Sequence, residues 1–144
     1  MRYDCEVIID KPADEVLRLF DSTENLYEWM EGLENFEHLE GTAGEVGAKS
    51  KLSFKMGKRS MELIETILTE NLPDEYKVSY DSPQGYNEVT ISFVPLDDQR
   101  TAYRTHNYFK MGGFMKVFAF LMPGMFKKQS MKYLNAFKAF AERS

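Results

Sequence analysis

Few side chains in this sequence are placed to move protons or hold a metal, and their spacing sorts them. Glu65 shares the period-two phase of Met61, Leu63 and Ile67 in an otherwise apolar segment, so it points where they point. A carboxyl on a buried face resists ionisation and can act as acid or base, or pair with a ligand amine. A bulge or strand end at that position would instead return it to solvent. Tyr76, Tyr80, Tyr103, Thr105 and Asn107 fall on the apolar phases of their own segments and add hydroxyl and amide groups to that side. The two histidines, His38 and His106, lie on different segments, and no Cys or Asp spacing completes a metal set around them. His106 shares its phase with Arg104 and Tyr108, so both imidazoles are expected at the surface. The single cysteine, Cys5, excludes an internal disulfide and points to a reducing compartment. It sits in an alternating strand, as a buried structural thiol would. No Gly-rich phosphate loop, nucleophile elbow or Cys–His arrangement is present. No metal or cofactor is expected, and no catalytic residue is assigned.

The elements that must position these groups are mostly strands. Tyr3, Cys5, Val7 and Ile9 alternate on one face, and Asp10-Lys11-Pro12 ends that strand and starts a helix. Asp14 and Glu15 suit its positive end, and Val16, Leu17 and Phe20 give it an apolar face. Ser22-Thr23 can cap a second short helix bearing Leu26, Trp29 and Met30. Strands follow at Phe36–Glu40, Lys51–Met56, Ser60–Thr69, around Tyr76, Val78 and Tyr80, around Val89, Ile91 and Phe93, and at Thr101–Lys110. Tight turns such as Gly57-Lys58 separate them, so the strands form an antiparallel meander, because parallel neighbours would need long crossovers. Gly112-Gly113 ends the sheet. From Pro123 onward, Phe126, Ser130, Tyr133, Leu134, Phe137, Phe140 and Ala141 form one stripe of a long helix. The order is β-α-α-β-β-β-β-β-β-α, an α+β chain read as one domain over residues 1–144.

Composition sets outer bounds. At 144 residues, 43% hydrophobic and 28% charged, the chain is ordinary for a globular domain, while 14% aromatics and nine Met suit a core or cavity of large, adaptable side chains. The charged N-terminal residues do not resemble a signal peptide, and no stretch approaches the roughly 20 apolar residues of a membrane span. A cytoplasmic location is expected. The net charge of −5 is unevenly spread. Met1 to Phe109 holds 11 Lys+Arg against 22 Asp+Glu, a balance of −11; Lys110 to Ser144 holds 7 against 1, a balance of +6. The acidic body disfavours nucleic acid, while the basic tail leaves open transient contact with an anionic membrane. A lysine-rich solvated helix face lying over an acidic sheet is the alternative. Oligomeric state is not legible.

One helix cannot fill the concavity of a strongly bent sheet, so inward side chains either meet across it or leave a pocket. The expected lining is Leu52, Phe54, Met56, Met61, Leu63, Glu65, Tyr76, Val78, Tyr80, Val89, Ile91, Phe93, Tyr103, Thr105 and Phe109 from the sheet, with Phe126, Ser130, Leu134 and Phe137 from the helix. Apolar walls with a few hydroxyls suit an organic ligand held by shape and oriented by hydrogen bonds. Large aromatics closing the space are the alternative. The apolar run from Phe114 to Met122, with Phe118 and Leu121 inside it, is expected to form the pocket mouth or a membrane contact. Exposed, it would equally serve as a docking surface for another protein.

Five stretches carry a family resemblance: the strand and proline-started helix Val7 to Leu17; the tryptophan-bearing Leu26 to Trp29; the glycine-marked turn Leu39 to Lys49; the strand and Pro turn Met61 to Asp74; and the terminal helix Pro123 to Lys138. In these the chain resembles the START-like, or SRPBCC, superfamily, the helix-grip proteins that include the major birch-pollen allergen and polyketide cyclase/dehydrase-like proteins. The resemblance covers essentially the whole chain. It implies a curved seven-stranded antiparallel sheet gripping the C-terminal helix with a pocket between them. These are patterns of fold without a catalytic signature, and the superfamily spans lipid carriers, hormone receptors, cyclases and cochaperones. The expectation is noncovalent binding or transport of a hydrophobic small molecule or lipid. A cofactor-independent cyclase or dehydratase using the same pocket is one alternative, and a protein-interaction module using residues 114–122 is the other.

Overall fold

A computed structural model describes residues 1–83, 85–110, 116, 120–122 and 124–144. Its elements are β1 (Arg2–Ile9), α1 (Ala13–Phe20), α2 (Thr23–Trp29), β2 (Leu33–Glu40), β3 (Lys49–Met56), β4 (Arg59–Asn71), β5 (Glu75–Ser82), β6 (Gly85–Pro95), β7 (Thr101–Lys110) and α3 (Gly124–Arg143). The strands form one seven-stranded sheet in the order β1-β7-β6-β5-β4-β3-β2, every pairing antiparallel. This is the antiparallel meander read from the sequence, in the helix-grip arrangement that the resemblance implies.

Local chemistry explains the boundaries. Pro12 is extended (φ −61°, ψ 150°) immediately before α1, whose first turn carries Asp14 and Glu15 and whose last turn carries Arg18. The Ser22 hydroxyl accepts the Asn25 N–H at the start of α2 (3.4 Å). Gly57, at φ +63°, supplies the left-handed residue that the β3–β4 hairpin needs. Gly32 has a steric role as well: a Cβ there would lie 2.8 Å from the Lys55 carbonyl oxygen. The Gly32 carbonyl accepts the Lys55 N–H at 2.8 Å, so β2 begins hard against the end of β3.

The helix α3 lies across the inner face and packs chiefly on β1. Phe137, fully buried, meets the rings of Trp29 (5.1 Å), Tyr103 (5.5 Å) and Phe20 (5.6 Å) edge-on, while Phe93 stacks on Tyr103 at 4.9 Å. This aromatic plug closes the space at the C-terminal half of α3. A polar clasp holds the same end: Lys138 Nζ donates to the Ile8 carbonyl and to Glu142 (both 2.6 Å), and Glu142 accepts the Asp10 N–H (2.8 Å). Towards the N-terminal end of α3 the Tyr3 hydroxyl bonds to the Ser130 hydroxyl (2.6 Å) and donates to the Phe126 carbonyl (3.1 Å).

Some local expectations need correction. Strand β2 starts at Leu33 rather than Phe36, and β4 runs from Arg59 to Asn71, longer at both ends than Ser60–Thr69. On α1, Leu19 joins Val16, Leu17 and Phe20 on the face packed against the core. Met56 shares the inward phase of Leu52 and Phe54, yet it is 41% exposed, because the strand ends there and the hairpin leaves the core. Phe114, Phe118, Gly112, Gly113 and Pro123 lie outside the described residues.

Candidate functional site

The strand register settles which side chains share the inner face. Ser50 pairs with Glu65, Glu65 with Tyr80, Tyr80 with Asn87, and Asn87 with Phe109, so a polar row crosses the sheet from β3 to β7. Beside it runs an apolar row, Ile67, Val78 and Val89, continued by Asn107 and Tyr3. On its other flank Leu63 pairs with Leu52, and Met61 with Phe54. The bulge needed to turn Glu65 outward is absent there; the register shift in β4 falls later, between Ile67 and Thr69.

Burial divides these residues by position along the sheet. Ile91, Phe93, Tyr103, Thr105, Leu134 and Phe137 are buried, as are Val78, Leu52 and Phe54. Met61, Leu63, Glu65, Tyr76, Tyr80, Asn87, Val89, Phe109, Phe126 and Ser130 keep partial accessibility. Glu65 and Tyr80 are deep in the molecule by the protein around them, yet neither is sealed from a water-sized contact. The buried apolar residues divide into three clusters: the aromatic plug, Leu33–Leu52–Phe54, and Ala48–Ile67–Val78. Tyr80 packs against the second and third, and Tyr76 against the first and third.

Electrostatics single out one pair. Burial strips water from the Glu65 carboxyl and pushes its pKa up, while the hydrogen bond from the Tyr80 hydroxyl pulls it partly back. The Tyr80 phenol is held well above its ordinary value by burial and by the adjacent carboxylate. Tyr76 is raised for the same two reasons, and Tyr103 mainly by burial. These phenols therefore stay protonated at neutral pH and act as donors. Trp29 adds a further donor: its Nε1–H is buried and has no hydrogen-bond partner among the described residues.

Other hydroxyls on the inner face are already engaged. Asn107 donates to the Thr105 hydroxyl at 3.0 Å, and Ser130 is taken by Tyr3. Tyr3 also stacks on Phe109 (6.0 Å), which in turn meets Phe126 (5.2 Å). The Thr105 hydroxyl is thus bonded within β7, and the Ser130 hydroxyl ties α3 to β1. Ser50 and Asn87 were missed as members of the polar row. Both lie two residues before apolar positions of known phase, Leu52 and Val89, so the signal was present. The orphaned Trp29 N–H left no signal in the sequence.

On the outer face, His106 bonds to Asp4 (2.6 Å) and to Arg2 (3.3 Å), and Arg104 pairs with Glu6. These exposed pairs satisfy one another and contribute little to stability. His38 is exposed and reaches only the Gly41 carbonyl (2.7 Å). Among the described residues no group of His, Cys, Asp and Glu is arranged to hold a metal ion, and no helix is long and apolar enough to cross a membrane. At the start of α3 the large apolar residues Phe120 (85%), Leu121 (70%), Met122 and Met125 are exposed. Lys116, Lys127 and Lys128 are exposed around them.

No protein-family model and no curated protein matches the chain. Solved structures share its fold over nearly its full length. A conserved protein from Geobacillus kaustophilus superposes with a TM-score of 0.79 at 18% identity, covering 100% of this chain and 97% of that one. The ZhuI aromatase/cyclase from Streptomyces sp. R1128 gives 0.78 at 16% identity, covering 99% and 94%. Norcoclaurine synthase from Thalictrum flavum, a point mutant bound to a transition-state analogue, gives 0.73 at 14% identity, covering 98% and 93%. The chain has the helix-grip fold that these structures share.

Proposed function

We propose that this protein binds a hydrophobic small molecule or lipid noncovalently between the inner face of the sheet and α3. The aromatic plug bounds the site at one end. The apolar flanks are Leu52, Phe54, Met61 and Leu63 on one side and Val78 and Val89 on the other. One observation carries the reading: Glu65 and Tyr80 keep accessible surface at depth, in the middle of an otherwise apolar face. Apolar walls supply affinity through burial, at about 25 cal/mol per Å² removed from water, and the two polar groups fix orientation. Native mass spectrometry of the purified protein, beside mass spectrometry of its organic extract, tests this. A stoichiometric bound aromatic or lipid mass is expected. Apo protein with an extract identical to a blank would count against it.

A second reading is an enzyme of the cyclase or dehydratase type, and the Glu65–Tyr80 pair favours it. A carboxyl that resists ionisation beside a phenol that stays protonated is an acid–base arrangement needing no cofactor. In that case positioning of the substrate by the apolar walls would supply much of the rate. Substrate turnover that is lost in Glu65→Gln while binding persists would support this reading over carriage alone.

Access to the site is assigned to the end away from the plug, near the start of α3. The exposed Phe120, Leu121, Met122 and Met125, with lysines around them, suit transient contact with an anionic lipid surface during loading.

A further inference from the structure

We infer that the ligand carries an amine, held as an ammonium ion against Glu65 with its aromatic or aliphatic body between the apolar flanks. The inference rests on the binding reading above and names the chemical class that the site takes.

The argument begins with what Glu65 lacks. Among the described residues its side-chain hydrogen-bond partner is the Tyr80 hydroxyl, and no Lys or Arg acts on its carboxyl. The neighbours across the two flanking strands are Ser50 and Tyr80, neither of them a cation. The titratable groups facing it are the phenols of Tyr76 and Tyr80, both protonated at neutral pH. Lys49, one residue from Ser50, is bonded to Thr66, whose phase is opposite to that of Glu65. A carboxyl in that position costs stability, because its charge is desolvated without a counter-ion. Several acids elsewhere do have a lysine partner: Glu142 with Lys138, Glu31 with Lys132, Glu37 with Lys51 and Glu88 with Lys77. Glu65 is left uncompensated on the face where a ligand would lie.

An ammonium group restores the missing charge. It donates to the carboxylate oxygens that Tyr80 does not occupy, forming charge-assisted hydrogen bonds in a poorly solvated place. A carboxylate or phosphate ligand would meet Glu65 with like charge and is selected against.

Calorimetric titration at neutral pH with two near-isosteric probes, naphthylmethylammonium and naphthylmethanol, tests the inference. The wild-type protein is expected to bind the ammonium at least about tenfold more tightly than the alcohol. Glu65→Gln should bring the two within about twofold of each other. Glu62→Gln, on the opposite phase of the same strand and exposed, controls for the acidic surface and should keep the preference. Equal affinities in the wild type, or a preference that survives Glu65→Gln, would overturn the amine assignment while leaving the binding reading intact. Failure of both probes to bind the wild type would overturn the two together.

Discussion

Glu65 is the residue on which the functional reading turns, and its environment makes a stability prediction independent of any ligand. Because the folded protein holds this proton more tightly than the unfolded chain, the contribution of Glu65 is fully favourable below the ordinary glutamate value of 4.5. It declines as pH rises through that value towards the raised folded one. Glu65→Gln should therefore melt several degrees above wild type at pH 7, with the gap closing as pH falls below 4.5. A variant that melts below wild type at both pH values would show that the carboxylate is well compensated. The inward direction of Glu65 was legible from its phase with Met61, Leu63 and Ile67. Its partner was not, because alternation gives the face of a side chain but not the register between strands. Ser130 shows a similar limit: its phase on the helix was right, but the hydroxyl that engages it comes from Tyr3 on β1.

At the level of elements, strand and helix order were readable because turn chemistry marks each break. Pro12 starts α1, Ser22 caps α2, and Gly57 turns the β3–β4 hairpin. Strand ends were less legible, as β2 and β4 show, since pairing extends strands beyond the residues that alternate. Helix α3 serves two roles along its length. Its C-terminal half is fixed by Phe137 and by the clasp of Lys138 and Glu142 onto β1, while its start borders the exposed Phe120, Leu121, Met122 and Met125. That division predicts membrane behaviour confined to one end. Co-sedimentation with vesicles of phosphatidylserine and phosphatidylcholine should retain the wild type at low salt. Retention should fall with added salt and in a Lys127→Glu, Lys128→Glu double variant. No retention even on vesicles rich in phosphatidylserine would remove the membrane role and leave the patch for other use.

Taken whole, the molecule is an acidic sheet carrying a basic C-terminal region, with an inner face that is packed at one end and only half-covered at the other. Composition pointed to large adaptable side chains but could not say whether they would fill the concavity, because filling depends on where seven strands and one helix converge. In the structure aromatics form the plug, and the residues around Glu65 keep partial accessibility. The central claim is that this half-covered space takes a hydrophobic molecule. It is tested most directly by titrating the neutral fluorescent probe N-phenylnaphthylamine into the wild type, Leu63→Trp and Leu68→Trp. Leu63 sits on the inner face beside Glu65, so an indole there would occupy the space, whereas the exposed Leu68 offers a matched control. The account predicts a single saturable site in the wild type and in Leu68→Trp, lost in a folded Leu63→Trp. Absence of saturable binding in the wild type, or equal binding in all three, would contradict it.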